Sequence, residues 1–197
     1  ANCNVQPYFE EYTHLLSNLN PETKYYVRAY ALNEAGISFG AERSFTTLMD
    51  LSGVEGTATD IEGNSYKTIS IGTQVWMAEN LKTTRYNNGD LIGTTIPANL
   101  FIADEISPKY QWAYGSIENN AETYGRLYTW YSATDTRKVC PAGWHLPTDD
   151  EWTSLTSYLG NINTAGGKMK EQGTIHWTAP NTGATNESGF TALPGGY

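Results

Sequence analysis

The sequence predicts two modules of different class: a short all-β module, then a larger α+β module that mixes hairpins with helices. Three observations carry this expectation. Tyr25, Val27, Ala29 and Ala31 alternate with Tyr26, Arg28 and Tyr30, the period-two signature of a strand with one covered face. Further along, Tyr66–Ile71 and Gln74–Met77 flank Gly72-Thr73, which reads as a hairpin. Finally, Thr148-Asp-Asp-Glu151 is written as a helix start. The Thr148 hydroxyl can accept from the Glu151 N–H while the Glu151 carboxylate reaches back to the Thr148 N–H, and the two aspartates sit where the helix dipole favours negative charge.

The elements follow in order. Leu19-Asn-Pro-Glu-Thr-Lys-Tyr25 supplies a turn and a tyrosine suited to the tyrosine corner of immunoglobulin-like sandwiches. Asn33-Glu-Ala-Gly36 makes a hairpin loop, and Ala41–Thr46 reads as the returning strand. The first module is placed at residues 1–48 and a linker at 49–56, where small residues show no periodicity. The second module covers 57–197. It opens with two short strands about the Glu62-Gly63-Asn64 turn, and Asn87-Asn-Gly-Asp90 marks another turn. Residues 93–120 read as loop-rich, and Gly125–Ala133 as a helix carrying Leu127, Trp130 and Tyr131 on one face. After Thr148, Trp152, Leu155 and Leu159 repeat at helical spacing, and Gly160 is placed to end the helix.

Composition excludes several function classes. The net charge is −9, and the 12 Lys and Arg are scattered, so no basic track exists for nucleic acid and anionic membrane surfaces are disfavoured. No apolar run long enough to span a bilayer occurs, so membrane insertion is not expected. Fourteen Tyr and six Trp provide flat apolar faces with polar edges, which suit either a core or a sugar-stacking surface. Cys3 and Cys140 do not form a metal-type pair; they pair with each other, pair with residues outside this chain, or are free.

Two resemblances follow from these residues. Tyr12–Thr47 resembles the last three strands of a fibronectin type III domain of the kind found on bacterial surface proteins. Such a domain has about twice the residues found here, so earlier strands are expected to be missing and the remainder is expected to act as a spacer. The series Tyr66–Leu81, Tyr124-Gly-Arg-Leu-Tyr-Thr-Trp130, Cys140-Pro-Ala-Gly-Trp-His-Leu-Pro-Thr148 and Trp177–Gly196 resembles the Fibrobacter succinogenes major paralogous domain of secreted and surface proteins. Leu146-Pro-Thr-Asp-Asp-Glu-Trp152 is more distantly similar to the formylglycine-generating-enzyme branch of the C-type lectin fold. That resemblance implies an α+β domain with two helices and a small, loop-rich antiparallel sheet. It further implies a continuation beyond Gly195-Gly196 that would supply strands, much of the binding face and a partner for Cys140. The late cysteine pair of those oxidases is absent here, so their activity does not carry over.

The candidate chemistry is sparse. Asp149, Asp150 and Glu151 are explained by capping, since catalytic carboxylates must face each other across a substrate at roughly 5–10 Å. His145 and His176 lack zinc spacing, Ser154, Ser157 and Ser188 lack a nucleophile elbow, and Ala165-Gly-Gly-Lys168 lacks the rest of a phosphate loop. Calcium is retained as a candidate cofactor at Asp60, Glu62 and Asn64, with Asn181–Glu187 as a second oxygen-rich stretch. The reading is therefore a non-catalytic, extracellular or cell-surface bacterial module that binds a glycan through Trp112, Tyr114 and Trp177, aided by Asn181, Asn186 and Glu187. Trp76, Trp130, Trp144 and Trp152 are assigned to the core. A host or cell-surface protein is the rival partner, and a fragment of a carbohydrate-active enzyme is a further alternative.

Overall fold

The structure, a computed structural model, describes residues 16, 19–96, 102 and 104–195. Cys3, His14 and Tyr197 lie outside the described residues, as does part of the Tyr12–Thr47 resemblance. The chain divides into two compact units, residues 1–50 and 51–197.

In the first unit the alternating stretch forms two strands, β1 (Lys24–Val27) and β2 (Tyr30–Asn33), where the sequence predicts one. β2 turns back into β3 (Gly36–Phe39), and β4 (Arg43–Thr46) pairs antiparallel with β1 in the register Tyr25↔Phe45. The break at Arg28-Ala29 is tied across to Gly40, whose N–H donates to the Ala29 carbonyl at 2.9 Å and whose carbonyl accepts from Arg28 Nε at 3.1 Å. The turn at Asn33 closes because its Oδ1 accepts from the Ala35 N–H at 2.9 Å, and Gly36 takes φ +126°. The covered face expected from the alternation is realised in β1, where Tyr25 and Val27 are half-buried and Lys24 and Tyr26 exposed, but not beyond it, where Ala29 and Ala31 are exposed. Its described strands form two separate two-stranded sheets, β1 with β4 and β2 with β3.

The second unit is α+β. β5 (Glu55–Thr59), β6 (Ser65–Ile71) and β7 (Gln74–Met77) form an antiparallel meander in that order. The predicted linker therefore ends earlier than expected. Gly53 donates to the Ser70 carbonyl at 2.8 Å and Ser70 to the Val54 carbonyl at 2.9 Å, so the stretch beyond Ser52 extends the sheet by satisfying the outer groups of β6. Gly72 turns the β6–β7 hairpin at φ +61°, and a Cβ there would meet the Tyr158 ring at 2.9 Å, so both conformation and space demand glycine.

Gly125–Ala133 is not one helix. A short helix α1 (Asn120–Tyr124) ends at Gly125, whose φ is +68° and whose added Cβ would meet Asn80 Cβ and the Leu81 carbonyl at 2.6 Å. Arg126–Tyr128 is strand β9, paired with β8 (Gln111–Ala113), and only Trp130–Ala133 is helical, as α2. The apolar spacing that suggests a helix is overridden by the left-handed glycine and by extended Thr129.

Helix α3 (Asp149–Tyr158) starts as the sequence predicts: Glu151 N–H donates to Thr148 Oγ1 at 3.3 Å and Thr148 N–H to Glu151 Oε2 at 2.8 Å. It ends before Gly160 at φ +118°. A further helix, α4 (Ile162–Met169), follows at once, capped by Asn161. One core packs the sheet on these helices through Ile69, Ile71, Trp76, Leu155, Leu159 and Ala165. A second gathers Tyr86, Ile92, Val139 and Cys140. Beside it Asp135 is held by Arg137 at 2.9 Å and Lys109 at 2.8 Å, with the Arg137 guanidinium 3.9 Å over the Tyr86 ring. Among the described residues no helix is long and apolar enough to cross a membrane.

Candidate functional site

The second unit carries an apolar cleft of about 470 Å³. β7 forms one wall, the loop 143–147 another, and Glu151 and Trp152 of α3 contribute a third side. Three features of the sequence place these groups together. The capping box fixes the first turn of α3, the hairpin at Gly72 presents β7, and Gln74 Nε2 ties them by donating to the Glu151 carbonyl at 3.3 Å. Trp76 and Trp152 meet at 4.8 Å between ring centroids and Phe190 lies 6.0 Å from Trp76, both in tilted geometry favoured by aromatic pairs.

Trp76 is buried, yet its indole N–H has no partner among the described residues, a cost that a well-satisfied core avoids. Trp152 is 40% exposed and Trp144 half-buried, so two tryptophans assigned to the core border open space. Trp130, also assigned to the core, is 72% exposed. Only Trp76 of the four is buried.

Glu79 and Glu151 are the carboxylates that line the cleft. His145 Nε2 lies 2.8 Å from Glu151 Oε1, while the Thr148 N–H donates to Oε2. Those partners, the Thr148 backbone first and His145 next, hold the Glu151 carboxyl below the usual range, so it stays ionised. Glu79, on the opposite rim, accepts from the Lys67 N–H at 2.6 Å. Cys140 borders the cleft as a buried thiol whose pKa burial pushes up, which makes it a poor nucleophile.

A larger, polar groove of about 520 Å³ lies across Met77 and Phe190 from the cleft. Within it Lys82 pairs with Glu122 at 2.9 Å, and His176 Nδ1 lies 2.9 Å from Glu171.

The predicted glycan residues are not brought together in either concavity. Trp112 is 6% exposed, in β8 rather than a loop, stacked on Tyr110 at 5.4 Å with its N–H donated to Thr95. This corrects its assignment to an open surface: strand pairing with β9 turns the ring inward. Trp177 is half-buried, its N–H donated to the Ala192 carbonyl at 3.0 Å and its ring covered by Lys170. Tyr114 is exposed, on a single 3-10 turn. Asn181 donates to the Glu171 and Gly173 carbonyls, Asn186 bonds Thr191 on both amide atoms, and Glu187 pairs with Lys168.

The calcium candidates are likewise engaged. Asp60 accepts four bonds, from the Glu62 and Asn64 N–H groups, Asn64 Nδ2 and Tyr66 Oη. Glu62 accepts from Thr83 and from both the backbone and hydroxyl of Thr84. These carboxylates brace a turn, and among the described residues no group of three metal-type ligands converges.

A small antiparallel sheet braced by two consecutive capped helices, with an aromatic cleft beside its outer strand β7, defines an α+β module. Residues 69–197, more than half of the chain, match the Fibrobacter succinogenes major domain, and the chain belongs to that family. No curated protein and no solved structure matches it.

Proposed function

We propose that the chain is a non-catalytic recognition module of a bacterial surface or secreted protein, and that its cleft captures an apolar segment of a partner protein. The observation that carries this reading is the cleft itself: aromatic walls, an unpartnered indole and a thin polar rim. Protein ligands suit such a surface because a buried aromatic or aliphatic anchor in a pocket dominates binding energy. A sugar ring needs free polar groups around its stacking face, and the cleft's Glu79, His145 and Glu151 already have partners. The ionised state of Glu151 removes it as a general acid at neutral pH, which favours binding over glycoside hydrolysis.

In this reading the first unit is the end of a fibronectin type III-like spacer. Tyr25 Oη accepts the Asn20 N–H at 2.8 Å, as a tyrosine corner would, and the Asn33–Gly36 hairpin fits the same family. The second unit takes a C-type-lectin-like layout, supported by the way the Leu-Pro-Thr-Asp-Asp-Glu-Trp segment opens a helix packed on a small sheet. The extracellular setting rests on these two resemblances together. Calcium plays no part in it, so chelation with EDTA is expected to leave Tm and binding unchanged.

A glycan reading is kept for the exposed rings of Trp130 and Tyr114, neither of which lines the cleft. Selection of a displayed random-peptide library on the immobilised chain, run beside a glycan array, separates the two. The protein reading expects peptides whose binding is lost in Trp152→Ala, kept in Trp130→Ala and indifferent to free sugars. Array signals abolished by Trp130→Ala or Tyr114→Ala, with no Trp152-dependent peptide, would transfer the assignment to glycans.

A further inference from the structure

We propose that the partner segment enters the cleft as an added β-strand on the free edge of β7; this rests on the protein-binding reading above. The sheet order β5-β6-β7 leaves β7 with a neighbour on one side only. Its phase is fixed by the Ala78 N–H donating to the Lys67 carbonyl at 2.8 Å, which makes Lys67↔Ala78 a hydrogen-bonded pair. Antiparallel pairs alternate, so Ile69↔Trp76 is the next bonded pair, while Thr68↔Met77 and Ser70↔Val75 are the non-bonded ones. The N–H and C=O groups of Val75 and Met77 therefore point away from β6. Neither residue has a backbone partner among the described residues, and Val75 is 53% exposed.

On β6 the same alternation is complete, because the outward groups of Ser70 are met by Gly53 and Val54 on the β5 side. Of the two outer strands, β5 and β7, it is β7 whose four residues all line the cleft. An extended segment laid there would satisfy the Val75 and Met77 groups, and alternate side chains would drop towards Trp76 and Trp152. Charge sets the rest of the ligand's chemistry. Glu79 and Glu151 line the cleft, neither Lys nor Arg does, and the chain carries net charge −9. The expected occupant is an extended segment with apolar residues at alternate positions and Lys or Arg at its flanks.

The test uses the full chain and the tightest peptide from the random-library selection. Two versions of that peptide are synthesised, N-methylated on one or the other alternating set of backbone nitrogens. Strand addition predicts that one set weakens binding about tenfold or more, through loss of two backbone bonds, while the other set is tolerated. Val75→Pro removes an outward donor without touching the β6 ladder, as edge proline can, and is expected to weaken binding similarly. If both methylated peptides bind like the parent while Trp152→Ala abolishes binding, strand addition is overturned and the protein-binding reading stands. If no selected peptide depends on Trp152, both fall together.

Discussion

Leu155 and Asp135 show how much of this module depends on single side chains. Leu155 is fully buried between the sheet and α4, so Leu155→Ala is expected to cost about 2–5 kcal/mol in urea unfolding. Asp135 is held by Arg137 and Lys109, the Arg137 hydrogen bonds first, well below the usual carboxylate range. A carboxyl depressed in the folded state stabilises it above the unfolded pKa, and that stabilisation disappears as pH falls through the lower, folded value. The acid limb of the wild type's stability curve should therefore flatten in Asp135→Asn, which starts less stable at neutral pH. An unchanged acid limb would remove Asp135 from the account. Glu151 has the same sign: α3 should loosen at its first turn as pH drops below the ordinary glutamate range, less so in Glu151→Gln.

At the scale of elements, close backbone approaches decide the layout around α4. A Cβ on Gly167 would collide with the Gly183 carbonyl, and the Thr185 N–H donates to the Gly167 carbonyl at 2.8 Å. Gly167→Ala is thus expected to destabilise the protein despite its better helix propensity, and a gain in Tm would contradict this packing. The same glycines hide α4 from a reading of the sequence, because paired glycine lowers helix expectation; the Asn161 and Thr164 pair was the readable signal. Thr148 and Glu151 were legible because capping is local chemistry, and Gly72-Thr73 because a two-residue hairpin is. The β9 strand was not: Leu127, Trp130 and Tyr131 mimic a helical face, and only the contact of Gly125 with Asn80 and Leu81 breaks it. Tryptophan burial failed for a related reason. Position in a motif says which element carries Trp112 or Trp152, but not whether that element's face meets another layer.

The whole molecule has a β unit and an α+β unit whose three-stranded sheet has β7 as an outer strand beside an aromatic cleft. Soluble domains rarely leave a flat edge and an apolar cleft together, since such edges invite pairing with another chain. That combination is what the proposed binding role accounts for. The most direct measurement follows the indole N–H resonances of the six tryptophans while the selected peptide is titrated into the labelled chain. The account predicts large shifts at Trp76 and Trp152, with Trp130 and Trp112 unmoved. Shifts confined to Trp130, or none at Trp76 and Trp152 at saturation, would contradict it.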